Sequence, residues 1–215
     1  MKNKLRASQG GMSLLELSVS LAIGAVVVLL ALRQQTETLR QTHMDNESKW
    51  VAAVMRDIAI QMSGNYAKLS NLTLGAIRSV PPAYINKEVV GTTTVVNGYG
   101  GQVTVAPLSL GGDLNNAYAL TYTNISQESC AQMVALFSKA GDAITTSIFG
   151  IVGKQGGSGP DLSHIGLDAA KNISTDDGQV LKLSTNSLAM DKVAAFCQSG
   201  SVADGQPRVL TLIRY

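Results

Sequence analysis

The sequence predicts an α+β fold in which one long N-terminal α-helix, its apolar half protruding, packs on an antiparallel β-sheet head. Three observations predict it. A proline-free N-terminal stretch carries apolar residues at helical spacing, short alternating runs broken by Gly, Asn and Pro follow it, and 215 residues suffice to bury a core. The composition narrows the function. Twenty-one glycines without a period exclude collagen, and 15% charged residues against 45% hydrophobic ones exclude a coiled coil. A net charge of +2 is too small for a nucleic-acid footprint, and two His with two Cys leave little for a transition-metal cage. No cofactor is expected.

The first 33 residues concentrate the basic charge and the longest apolar run. Residues 1–11 hold Lys2, Lys4 and Arg6 without an acid, and Met12–Leu32 then carries a single charge, Glu16. A basic segment leading into an apolar one is an export pattern. As a helix, Met12–Leu32 would be about 31 Å long, enough to cross a bilayer. The run continues into Arg33-Gln34-Gln35 rather than a small-x-small site, so the apolar helix is expected to be retained. The processing point is then before it, at Gly10-Gly11.

Gly11-Met12-Ser13-Leu14-Leu15-Glu16 followed by an apolar helix resembles the prepilin peptidase site of type IV pilins. The resemblance implies cleavage between Gly11 and Met12, N-methylation of Met12, and a glutamate fifth in the mature chain. Glu16 falls there only if the cut follows Gly11. A Met in place of Phe at the first mature position, no proline before Pro81 and the length of the chain resemble the type IVb pilins of enteric bacteria, the group with the bundle-forming and toxin-coregulated pilins.

From Arg33 to Met62 the residues Leu39, Val51, Val54, Met55, Ile58 and Met62 form an amphipathic stripe, so the helix should run for about 50 residues and end near Ser63-Gly64-Asn65. Residues 12–64 are thus read as the long helix, with 12–32 as membrane anchor and later filament core, and 65–215 as the globular head. Gly24 is either a bending point or a site of close helix packing. Trp50 reads as a packing anchor.

In the head, Thr92–Val96 and Gln102–Ala106 flank Asn97–Gly101 as a hairpin. Tyr118–Thr123 reads as a strand, Ser126 as the cap of a helix through Lys139, Gly153–Pro160 as a flexible loop and Gln179–Ser184 as a strand. Ser187–Phe196 reads as a short helix, and Arg208–Tyr215 as the closing strand. Cys130 and Cys197 lie in a part that is extracytoplasmic if the leader reading holds, so a disulfide is their natural state. By family resemblance, residues 131–196 between them would form much of the exposed face.

Catalysis finds no support in the sequence. His43 and His164 lack partners in a recognisable arrangement, Gly153–Gly159 lacks the P-loop order, and Asp176-Asp177-Gly178 reads as a turn. The chain is not expected to be an enzyme.

Glu16 is costly among Leu14, Leu15, Leu17 and Val19 unless an opposite charge accompanies it. Cleavage after Gly11 would create one, and the resemblance implies that the Met12 amine of one subunit neutralises Glu16 of its neighbour. Glu16 can also snorkel to headgroups while a subunit waits in the membrane.

The resemblance implies a major structural subunit of a type IVb pilus, inserted in the inner membrane and then polymerised into an extracellular filament for adhesion, aggregation or colonisation. Its partners would be copies of itself, a prepilin peptidase, an assembly ATPase with its platform protein, an outer-membrane secretin, and host or bacterial surfaces. A minor pilin or type II secretion pseudopilin shares the same N-terminal features, and a single-span anchored binding domain is the remaining alternative. Removing residues 1–11 leaves 14 basic against 15 acidic side chains, so the weak positive charge belongs to the leader.

Overall fold

The computed structural model describes residues 14–89, 92–140, 148–184, 187–198 and 207–215. The chain divides into two compact units, Met1–His43 and Met44–Tyr215. Helix α1 (Leu14–Met62, 49 residues) runs through both. It stops where the reading expects, with Ser63 and Gly64 at φ of 48° and 83° and the Ser63 N–H still reaching the Ala59 carbonyl. That left-handed pair ends the helical ladder.

Within the second unit α1 buries Met44, Glu47, Trp50, Val51, Val54, Met55 and Ile58. These steps of three and four residues define one face. Leu39, expected on the stripe, is 60% exposed, because the cover supplied by the head begins at Met44.

A short helix α2 (Asn71–Ala76) follows, closed by a reciprocal capping box between Ser70 and Thr73. Strands β1 (Ile85–Val89), β2 (Thr92–Val96), β3 (Gln102–Leu110) and β4 (Asp113–Ile125) form a meander. Helix α3 (Gln127–Ala140) and β5 (Gly150–Gln155) come next, and then the small strands β6 (Ile165–Leu167) and β7 (Ile173–Thr175). Strands β8 (Gln179–Ser184) and β9 (Ser187–Leu188), helix α4 (Met190–Gln198) and β10 (Arg208–Arg214) complete the chain.

Among the described residues, eight strands form one antiparallel sheet in the order β1-β2-β3-β4-β10-β5-β8-β9, and β6 pairs with β7 apart from it. The last strand therefore sits in the middle. Its alternation divides the two faces. Leu210 and Leu212 join Tyr118, Leu120, Tyr122 and Ile151 in the core under α1, α3 and α4, while Ile213 joins Leu108, Leu110, Ala117 and Val152 under the β6–β7 ribbon. On the helix side, Arg208 Nε donates to the Phe196 carbonyl of α4 at 3.2 Å and Arg214 Nη1 to the Met55 carbonyl of α1 at 2.9 Å. One strand thus holds two helices.

The Asn97–Gly101 loop is held by Asn97, whose side-chain carbonyl accepts from the Tyr99 and Gly101 N–H groups at 2.9 Å and whose amide donates to the Thr123 carbonyl at 2.8 Å. Glycine is required at 101: a Cβ there would lie 2.0 Å from the Thr123 carbonyl oxygen. The predicted strands at 92–96, 102–106, 118–123 and 179–184 all form, although β3 and β4 extend past their predicted ends. The expected cap also forms, the Ser129 N–H donating to Ser126 Oγ at 3.4 Å.

Two readings need correction. Gly153–Pro160 is not one flexible loop, since Gly153, Lys154 and Gln155 pair with Leu210, Val209 and Arg208. Gly153 serves close approach instead: a Cβ there would meet the Phe196 ring at 2.8 Å. In Ser187–Phe196, the first two residues are β9 and the helix starts at Met190.

Glu47 is the acid the sequence reading overlooked. Its side chain is fully buried; Oε2 accepts from Trp50 Nε1 at 2.7 Å and Oε1 from the Gly98 N–H at 2.5 Å. It pegs the β2–β3 loop to α1. Burial first and the Glu47 charge second push the Tyr84 and Tyr122 hydroxyls above the ordinary tyrosine value. Glu47→Ala leaves the Trp50 and Gly98 donors unpaired, and should lower stability by about 2–4 kcal/mol in denaturant titrations of the full chain.

Cys130 and Cys197 are bonded, with their Cα atoms 5.6 Å apart, and join α3 to α4 within the core. The segment they enclose also reaches into the core: β5 lies between β10 and β8, and Ile151, Val152 and Leu181 are buried. Replacing both cysteines by serine should cost about 2–5 kcal/mol in the same titration.

Candidate assembly site

The candidate site is the first unit of the chain. There α1 presents Leu17, Val19, Leu21, Ile23, Val26, Val27, Val28, Leu29, Leu30 and Leu32 between 49% and 66% exposed. β-Branched and leucine side chains all round a helix leave it no polar face to turn to water. Among the described residues this is one helix long and apolar enough to cross a membrane, by length and composition. Leaving it in water would cost on the order of 10 kcal/mol.

Gly24 sits within this stretch, and a Cβ added there meets nothing within 4 Å. No packing inside the chain requires that glycine. Beyond Leu32 the surface turns polar, with Thr36, Thr38 and Thr42 hydroxyls donating back to carbonyls at i−3 or i−4 and Arg40 paired to Glu37 at 2.7 Å. The change from apolar to polar within one or two turns is what a lipid or filament boundary demands.

Glu16 lies in the first turn of α1. Gly11 and Met12 lie outside the described residues. Cys130 and Cys197 are brought together in the head. Trp50 is a packing anchor as read, 5.6 Å from the Tyr84 ring and 5.7 Å from Tyr122.

His164 does have a partner, contrary to the sequence reading: its Nδ1 is 2.6 Å from Asp176 Oδ1. Asp176 is twelve residues away, beyond the reach of spacing arguments. Ser163 Oγ donates to Asp161 rather than facing His164, so no nucleophile is lined up with this pair. Asp177, in the expected bend, holds Lys154 at 2.8 Å. Among the described residues no group of three or more His, Cys, Asp or Glu could hold a metal ion.

Residues 41–200 match the PilS N-terminal family. No curated protein matches the chain in sequence. The fold is similar to that of a type IVb pilin from Salmonella typhi, at 19% identity and a TM-score of 0.44, over 80% of this chain and 97% of that one. It is also similar to TcpA, a type IV pilin from the Vibrio cholerae El Tor biotype, at 18% identity and a TM-score of 0.49, over 81% of this chain and 99% of that one. The family match spans the buried half of α1 and the head up to residue 200, short of β10, whereas the Gly11–Glu16 motif lies before it. Since that match covers well over half of its length, the chain belongs to the PilS N-terminal family.

Proposed function

We propose that the chain is the major structural subunit of a type IVb pilus. The observation that carries this reading is an uncovered apolar helix, Leu17–Leu32, placed directly after Gly11-Met12 and Glu16 in a member of a pilin family. Residues 1–11 are the leader, 12–64 the assembly helix and 65–215 the head. A prepilin peptidase cuts between Gly11 and Met12 and methylates the new amine.

The precursor waits in the inner membrane with its apolar helix in lipid. On assembly the same surface moves among the helices of other copies. The exchange is between two apolar environments, so the hydrophobic effect drives it weakly and an external motor is needed to extract the subunit. A cytoplasmic ATPase with its platform protein fits that need, and a secretin gives the filament its exit. The heads then form the outer surface and carry adhesion or aggregation.

Glu16 supplies register. Moved into the filament core, its carboxylate meets the cationic Met12 amine of a neighbouring subunit. Misplaced copies leave a buried charge without its partner, and that penalty selects the correct axial step more than it adds affinity. In cells, Glu16→Ala should reduce surface filaments to a small fraction of normal by electron microscopy while precursor levels in the membrane stay unchanged. Filaments of normal number and length in that strain contradict the pairing. As the major subunit the chain should also dominate protein sheared from the cell surface, and a trace amount there would identify a minor pilin or pseudopilin instead.

A further inference from the structure

Away from α1, several charged side chains meet where three segments of the head cross. Lys154 lies near the end of β5, Asp161–His164 form a tight turn entering β6, and Asp176 and Asp177 leave β7. His164 Nδ1 lies 2.6 Å from Asp176 Oδ1, and Nε2 lies 3.9 Å from Asp161 Oδ2. Asp177 accepts from Lys154 Nζ at 2.9 Å and from the Asp161 N–H at 2.6 Å. Asp161 also caps its own turn through the Ser163 N–H and hydroxyl. Among the described residues the charged groups around His164 are thus Asp161, Asp176 and Asp177, with Lys154 behind Asp177.

The place of this cluster gives it a consequence. His164 immediately precedes β6 and Asp176 immediately follows β7, so the pair joins the two open ends of the ribbon. Only Ile165↔Thr175, Gly166↔Ser174 and Leu167↔Ile173 are in register along it. Two strands this short are marginal without help. Yet Ile165 and Ile173 of the ribbon complete the apolar cluster with Leu108, Leu110, Val152 and Ile213 on the outer face of the main sheet.

We propose that the His164–Asp176 pair is a pH-dependent latch, which closes the open end of the β6–β7 ribbon over this apolar cluster when the imidazole is protonated and loosens it when the imidazole is neutral. A protonated ring donates from both nitrogens and is attracted by all three carboxylates; a neutral ring keeps one N–H and no charge. The hydrogen bond to Asp176 first, and the Asp176 charge next, raise His164 above the ordinary histidine value of 6.5, and Asp161 and Asp177 add to the effect. A folded-state value raised in this way gives a contribution fully present below the unfolded histidine value and lost as pH rises through the folded one. With His164 49% and Asp176 77% exposed, salt screens the pair, so the effect is local opening of the ribbon and not loss of the fold.

Amide hydrogen exchange of the full chain in detergent micelles tests the latch, read as protection factors so that the intrinsic pH dependence cancels. Protection in β6 and β7 should fall about two- to fivefold between about pH 5.5 and about pH 8.5 at low salt, and less at high salt, while the β4–β10 pairs stay constant. His164→Gln should abolish the change and Asp176→Asn should shrink it. Ribbon protection that is flat with pH in the unsubstituted chain overturns the latch. So does a pH dependence that persists in His164→Gln or is unaltered in Asp176→Asn.

Discussion

An apolar helical surface that no other described residue of its chain covers sets the terms for the rest of the protein. From Leu17 to Leu32 α1 carries no charge and, apart from Ser18 and Ser20, no polar side chain, and the large side chains there stand about half exposed or more. Water is the wrong solvent for that segment by on the order of 10 kcal/mol, a penalty comparable to the whole stability of a typical domain. Such a surface calls for lipid or other apolar helices around it, which is what the proposed assembly supplies. The far half of the same helix is buried in the head, while the apolar half is the surface assigned to an apolar partner in the proposed function.

The head meets this demand by building its core directly on α1. The helix gives Val51, Val54, Met55 and Ile58 to the sheet, and the central last strand returns Arg214 to the Met55 carbonyl, where the Tyr118 hydroxyl also donates. Glu47 pegs the β2–β3 loop to the helix close to the start of the head unit. Behind them the disulfide holds α3 to α4. The Arg214, Tyr118 and Glu47 contacts are fixed points between α1 and distant parts of the chain, so a pull on the helix is carried into the sheet through hydrogen bonds and packing rather than through one loop.

Much of this was legible in sequence, because long periodic features report their surroundings directly. The uncharged, mostly apolar run from Leu17 to Leu32, the break at Ser63-Gly64 and the alternation of Arg208–Tyr215 each state an environment. Where the reading failed, the decisive partner was distant. Leu39 keeps the spacing of a buried residue but lies in the unit before Met44 and is exposed among the described residues. Gly153 looks like a loop residue, yet its missing side chain makes room for Phe196. Glu47 looks like any exposed helix acid until Trp50 and Gly98 close on it, and Asp176 reaches His164 only because β6 and β7 pair. The proposed assembly motif stands apart from these: Gly11, Met12 and Glu16 are consecutive or nearly so, and a pattern along the chain is enough to propose it.

The central claim is that this chain is processed so that its apolar helix becomes the N-terminus and Met12 supplies the amine that Glu16 requires. The mass of the N-terminal peptide from membrane-inserted and filament-borne protein tests it most directly. The account predicts a peptide beginning at Met12 with one added methyl group. A peptide beginning at an unmodified Met1, or one cut after residue 32 with the apolar helix lost, contradicts it.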